Sequence, residues 1–329
     1  MTRKLATLAT IKSLSPIEGA DRIEVAGVRG WQVVVPKGQF QVGDLGVYCE
    51  CDSMLPLSNP HFAFLAPRAG EDATYFRVRT IKLRKQISQG ILFHTDILPE
   101  AYYYLDQDVT ELLGITKYEP PIPAQLSGEI AGPFPSFFPK TDEERAQNLI
   151  DELALFGDVP LYITEKLDGT SLSVYKLQNH FGVCSRNWEL KETENNTYWR
   201  VARRLREVIP AGIVVQGEIV GPGVQKNRLA LPDLQLFVFK IIDLHRGTVF
   251  DFAETKTFCE DFGLNMVPVL DINFMVAGKN AQGLLAHTPK TSILNPAALC
   301  EGHVFRSMQH SPYFSFKLIR PEYLLKYEE

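Results

Sequence analysis

The stretch from Tyr118 to Pro139, YEPPIPAQLSGEIAGPFPSFFP, constrains this chain more than any other, because its prolines recur too often for a helix or an interior strand to pass. A chain of 329 residues interrupted in this way is expected to fold as two bodies, 1–116 and 140–329, joined by a Pro-rich linker at 117–139.

Before the break, the segments LATLATIKSLSPIEG, DRIEVAGVRG, WQVVVPKGQF and GDLGVYCECDSMLP and the stretch from Tyr75 to Leu92 are rich in Val, Ile, Tyr and Phe and cut by Gly, Pro and Asp turn signals. About five strands in a hundred residues predict a small closed barrel, and the OB fold is the commonest such barrel that handles nucleic acid. Residues 77–85 carry five cations, Arg77, Arg79, Lys82, Arg84 and Lys85, interleaved with apolar residues. On a strand they are either a nucleic-acid-gripping surface or an edge protected by charge.

After the break, Thr141 and Glu144 have capping-box spacing. Ala146, Leu149, Ile150, Leu153 and Phe156 repeat at helical intervals up to Gly157, so a helix is expected there. Strands dominate again beyond it, with helical patches near 193–209, 251–262 and 280–288. The expected class is α+β, with mainly antiparallel sheets flanked by helices.

A net charge of −5, from 34 basic and 39 acidic residues, excludes a protein that coats nucleic acid by bulk positive charge, so a polyanion must meet a local patch. Five scattered cysteines form no disulfide framework. Cys49 and Cys51 fit small buried residues of a strand better than a metal pair, since no second Cys or His pair follows. Apolar runs stop far short of about eighteen residues and no leader pattern is visible, so a cytoplasmic protein without membrane contact is expected.

Chemistry concentrates in LYITEKLDGTS, residues 161–171. A strand delivers Lys166 to an Asp-Gly turn, which sets a primary amine beside a carboxylate at the end of a rigid element. Such an amine attacks only when deprotonated, so desolvation or nearby cations must lower its pKa. Alone, K-x-D-G is also a common surface turn. Later segments in a fixed order add weight: FGVCSRN (181–187), VQGEIVG (215–221), LFVFKIID (236–243), CEGHVFR (300–306) and FSFKLI (314–319). Each sets an acid or a base on an apolar strand, and such charges in series converge most economically on one anionic ligand.

This order closely resembles the covalent nucleotidyltransferase superfamily of ATP-dependent polynucleotide ligases and mRNA capping enzymes. KLDG is similar to its motif I, SRN to motif Ia, GEIVG to III, FVFKIID to IIIa, EGHVFR to IV and FKLI to V, across roughly residues 140–326. ATIKSL, PIEGADRIEVA, RTIKLRKQISQG and TDEERAQN extend the likeness to RNA ligases with an N-terminal OB module, the deinococcal type. The resemblance implies an OB-like barrel followed by an ATP-grasp-like ligase adenylylation domain.

It also implies roles. Lys166 would attack the α-phosphate of ATP and hold AMP. Glu165 would read the adenine edge and Phe239, with Phe237 in reserve, would stack on the base. Arg186 would contact phosphate or ribose, and Glu218 the ribose hydroxyl. Glu301 would orient Mg²⁺ or Mn²⁺ through water, and Lys317 would meet the α-phosphate. Asp168 would serve the later steps. The implied partner is RNA or a nicked duplex with RNA at the 3′-hydroxyl end, met by a monomer with no inferred protein partner.

Two departures matter. Ser171 stands where many DNA ligases carry arginine, which favours the RNA ligase side. Ser315 precedes Phe316 and Lys317 where many relatives have a second lysine, a charge that Lys326 is a candidate to supply. The barrel-like segment also precedes the motifs, whereas DNA ligases and capping enzymes place theirs after motif V. The rival readings are a capping-type guanylyltransferase, separable by GTP preference, and a catalytically silent RNA-binding protein, which would lack Lys166 or Glu301.

Overall fold

The computed structural model describes residues 3–119 and 128–327, and the chain divides into two compact units, 1–121 with 324–329, and 122–323.

The first unit contains β1 (Ala6–Pro16), β2 (Ile23–Val28), β3 (Trp31–Pro36), β4 (Leu45–Cys49), β5 (Ser53–Pro56), β6 (Tyr75–Arg77), β7 (Thr80–Leu83), β8 (Gln86–Gln89), β9 (Ile91–His94) and β10 (Thr116–Lys117), with a short helix α1 (Ala66–Ala69). Five form an antiparallel sheet in the order β3-β2-β1-β4-β9. The long β1 serves two neighbours, pairing residues 6–10 with β4 and residues 11–16 with β2, with the register breaking between Ile11 and Ser13. Such a break bends a strand so that one sheet curls around its own core. Ala9, Ile11, Val28, Trp31, Val33, Val35, Tyr48 and Leu92 fill one cluster, and Leu8, Val47, Leu55, Phe62 and Val78 another.

The cation-rich stretch is not one strand. It breaks at the Val78-Arg79 corner and refolds as the β7–β8 hairpin. The two-residue turn of this hairpin, Arg84-Lys85, has φ of 48° and 70°, the left-handed pair that matches strand twist. Val34 N–H donates to Ser88 Oγ at 2.9 Å, which ties the hairpin to β3.

The second unit contains β11 (Ile130–Pro133), β12 (Leu161–Lys166), β13 (Thr170–Lys176), β14 (Phe181–Cys184), β15 (Trp188–Leu190), β16 (Ile213–Val220), β17 (Gln235–Asp243), β18 (Thr248–Val249), β19 (Asn265–Met266), β20 (Val269–Phe274), β21 (Gly302–Ser307) and β22 (Ser315–Ile319). Its helices are α2 (Ile150–Leu155), α3 (Thr197–Ala202), α4 (Leu205–Val208), α5 (Phe252–Asp261), α6 (Ala281–His287) and the start of α7 (Pro321–Tyr327). One sheet runs β11-β15-β14-β13-β16-β17-β18, with β19 parallel to β17, and the other runs β20-β12-β21-β22. The mixed α+β class with mainly antiparallel sheets is as expected.

Two expectations fail here. Part of the stretch expected to be linker is strand: β11 pairs with β15, placing Pro133 opposite Trp188. An edge strand needs no N–H on its open side, so proline is tolerated there. Residues 120–127 of that stretch lie outside the described residues. The capping box at Thr141 is also absent. Residues 141–145 stay non-helical, a 3₁₀ turn covers Ala146–Asn148, and α2 starts only at Ile150. The acids of this segment have partners in the sheets, described below, and these override the local signal. All five cysteines are buried free thiols, and among the described residues no helix is long and apolar enough to cross a membrane.

Candidate active site

Lys166 ends β12 in the four-stranded sheet, and after Leu167-Asp168-Gly169 the chain enters β13 of the other sheet. The turn therefore spans from one sheet to the other. Gly169 permits the crossing, because a Cβ there would come within 2.2 Å of the Ile219 carbonyl oxygen on β16.

Both oxygens of Glu301 lie 2.8 Å from Lys166 Nζ. Burial pushes the Lys166 ammonium down, but Glu301, Glu218 and Asp168 outweigh it and raise its pKa. The lysine pushed down instead is Lys317 on β22, to about 8, by burial and then by the charges of Arg145, Lys166 and Arg186. The expected lowering of Lys166 is therefore not present, because the carboxylates around it hold its proton. Glu218 on β16 is the counterpart: burial above all, with Glu301 and Asp168, raises its carboxyl to about 8 although Lys166 and Arg186 oppose the shift.

Glu165 is buried one residue before the lysine. Its Oε2 accepts from Ile293 N–H at 2.7 Å, and burial raises its pKa against hydrogen bonds from Ser292 and the backbone of Ile293 and Leu294. Phe239 is the extra residue of a bulge on β17, where the register with β16 shifts between Gln216 and Gly217. A bulge re-aims a side chain. Phe239 stays half-buried with the Arg306 guanidinium 5.5 Å from its ring centre, whereas Phe237 is buried in the core. Arg186 is half exposed and pairs with Asp142 at 2.6 Å. Asp168 accepts from Arg228 and Tyr323.

Residues 142–145 carry part of the site that the helical pattern concealed. Glu143 Oε1 lies 3.2 Å from Lys240 Nζ and 3.4 Å from Arg306 Nη2, and Ser315 Oγ donates to its Oε2 at 2.6 Å. Lys317 N–H donates to the Glu144 carbonyl at 2.7 Å, and Arg145, itself buried, bridges alongside Lys317. Arg145 thus adds a second cation beside Lys317. Lys326 instead sits in the last turn of α7 with Nζ 4.9 Å from the Tyr327 ring centre.

In the first unit, Arg79, Lys82, Arg84 and Lys85 are exposed on the corner and hairpin. Arg77 differs. Its guanidinium pairs with Asp52 at 2.8 Å and lies 3.7 Å over the Tyr118 ring, so it is committed to structure.

An OB-fold domain model matches residues 5–95, and the RNA ligase family model matches 159–320. Structures of Naegleria gruberi RNA ligase, one with PPi, one with AMP and Mn and one with ATP and Mn, superpose with a TM-score of 0.90 at 39% identity over 99% of this chain and 99% of that one. This chain belongs to the RNA ligase family. It is an ATP-dependent ligase with an N-terminal OB-fold domain. Among curated proteins, none matches the chain. In the second unit of this ligase Glu165 and Lys166 lie on β12, Glu218 on β16 and Lys317 on β22, and Glu301 immediately precedes β21. Sequence reading singled out neither Arg145 nor Arg228. The first lay inside an apparent helix start, and the second is 60 residues from its partner Asp168 with only a Gly-Pro-Gly loop as a signal.

Proposed function

We propose that this ligase joins RNA 3′-hydroxyl and 5′-phosphate ends at nicks through a lysyl-AMP formed on Lys166. The observation that carries the proposal is the ion pair between Lys166 and Glu301, which sets a strand-end amine against a carboxylate with further acids and cations around it. Naegleria RNA ligase with ATP and Mn supports the nucleotide and metal assignment.

In the first step the unprotonated Lys166 Nζ bonds to the α-phosphorus of ATP, the bond from that phosphorus to the α,β-bridging oxygen breaks, and pyrophosphate leaves. Lys317, with Arg145 beside it, offsets charge on the α-phosphate oxygens. Glu165 accepts from the base edge, Phe239 stacks on it, and Glu218 and Arg186 hold ribose and phosphate. Glu301, whose carboxylate lies beside Lys166 Nζ, would hold Mg²⁺ or Mn²⁺, hard cations that suit a carboxylate oxygen. A divalent cation there would supply positive charge against the phosphates. AMP then passes from Lys166 to a 5′-phosphate, and a 3′-hydroxyl displaces it, with Asp168 serving these steps. Arg79, Lys82, Arg84 and Lys85 of the OB domain grip the duplex backbone. The protein acts as a cytoplasmic monomer.

The test is incubation with α-labelled ATP and Mg²⁺ followed by denaturing electrophoresis, beside Lys166→Ala. Label should attach covalently to the wild type and not to the variant. Label on neither, with Mn²⁺ and with GTP also tried, would overturn the proposal. For the substrate, a nick ending in a ribose 3′-hydroxyl should seal faster than the same nick ending in deoxyribose, and equal rates would exclude the RNA-ended preference.

A further inference from the structure

Among the described residues of the second unit, positive φ at non-glycine positions concentrates in the loop after β16. Gln225, Lys226, Asn227 and Ala230 all have positive φ, at 44°, 59°, 46° and 52°. Non-glycine residues persist in that region only where their surroundings over-determine them. Here Asn227 clamps the loop on itself, its Nδ2 donating to the Leu231 carbonyl at 2.9 Å and its Oδ1 accepting from Leu231 N–H at 3.1 Å. Asn295 Nδ2 donates to the Leu229 carbonyl at 3.2 Å.

The loop delivers two adjacent residues to two adjacent residues of the lysine turn. Leu229 is buried in one cluster with Leu167. Next to it, Arg228 Nη1 donates to Asp168 Oδ2 and lies 3.5 Å from the Tyr323 hydroxyl, which is itself hydrogen-bonded to Asp168. Both members of the pair are mostly buried, with side-chain exposures of 16% and 15%. A guanidinium in that setting fixes a carboxylate in direction as well as in charge.

We infer that Arg228 is the positioning residue for Asp168 in the ligase reaction, with Tyr323 as the second donor. The inference rests on Asp168 serving the steps at the RNA end. The strained loop is then what holds the far side of the lysine turn, and removing Arg228 frees the carboxylate that the turn must present.

The test measures single-turnover AMP transfer and sealing of a nicked duplex by Asp168→Asn, Arg228→Ala, Arg228→Lys, Tyr323→Phe and the Asp168→Asn/Arg228→Ala double variant. Residues that act as one unit are non-additive, so Arg228→Ala should lose about tenfold or more in the same step as Asp168→Asn, largely in kcat, and the double variant should be within about twofold of Asp168→Asn alone. Arg228→Lys, which keeps the charge but not the fork, should recover part of the loss, and Tyr323→Phe should lose less than Arg228→Ala in that step. Should Arg228→Ala not fold, the Lys and Phe variants carry the same comparison. Losses that multiply in the double variant, or a normal Arg228→Ala beside a slow Asp168→Asn, would overturn the inference and leave the role of Asp168 standing. A normal Asp168→Asn would overturn both.

Discussion

Two segments of the second unit carry the same local signature, an oxygen-bearing residue followed three positions later by glutamate. At Asp251 and Glu254 it makes the expected structure. Asp251 Oδ1 accepts from Glu254 N–H at 2.9 Å, Glu254 Oε2 accepts from Asp251 N–H at 3.1 Å, and the ten-residue α5 follows. At Thr141 and Glu144 it makes no helix. The Thr141 hydroxyl donates to Ser171 Oγ at 3.1 Å, and the Glu144 carboxylate accepts from Arg145 N–H and Asn148 Nδ2. A helix beginning at Thr141 would turn Glu143 away from Lys240 and Arg306 and draw Arg145 away from Lys317. Buried charges left without partners cost more than a cap contributes, so the tertiary partners decide the conformation.

The comparison breaks most sharply at Glu143. Replacing it with Gln strands Lys240 and Arg306, both mostly buried, and should cost about 3–5 kcal/mol in urea unfolding at neutral pH. A loss no larger than that of a surface substitution would mean that the segment is not held by this network. The same residue predicts a pH effect. Burial alone would raise its pKa, but Lys240, Arg306 and the Ser315 hydroxyl outweigh it and hold the carboxyl below its ordinary value of 4.5. Because the folded value is depressed, the stabilisation is fully present above about 4.5 and is lost as pH falls through the lower folded value. Glu143→Gln should lack that component, so its stability should fall less steeply than wild type in acid.

Asp251→Ala sharpens the other half. It should cost about 1 kcal/mol by loss of the cap and leave nick sealing unchanged. Smallest of all, Thr141→Ala should shift the unfolding midpoint by no more than about 0.5 kcal/mol equivalent, as for an ordinary half-exposed polar contact. A loss equal to that of Asp251→Ala would show that Thr141 does cap a helix.

Much of both units was legible in local pattern. Strands such as Trp31–Pro36 and Leu161–Lys166 are bounded by turn residues, and α5 and α6 follow their helical spacing. Lys166 was visible because it ends a strand just before an Asp-Gly turn, and Glu301 because it stands next to Gly302 at the start of another strand. What stayed hidden depends on partners distant in sequence. The strand at Ile130–Pro133 exists only because Trp188–Leu190 offers it an edge. The Arg84-Lys85 turn lacks the Asn or Gly that normally announces left-handed backbone. Arg228 reaches Asp168 through a strained loop that no periodicity marks.

The cysteines carry a practical consequence. Burial is the main cause that raises four of the thiols, Cys259 to about 11, Cys300 to about 12, and Cys49 and Cys184 higher still. Attack on oxidants requires a thiolate within reach of solvent, and the folded chain offers none of these. Sealing should therefore proceed equally well without dithiothreitol, and peroxide in the buffer should leave an enzyme that needs no thioredoxin to recover.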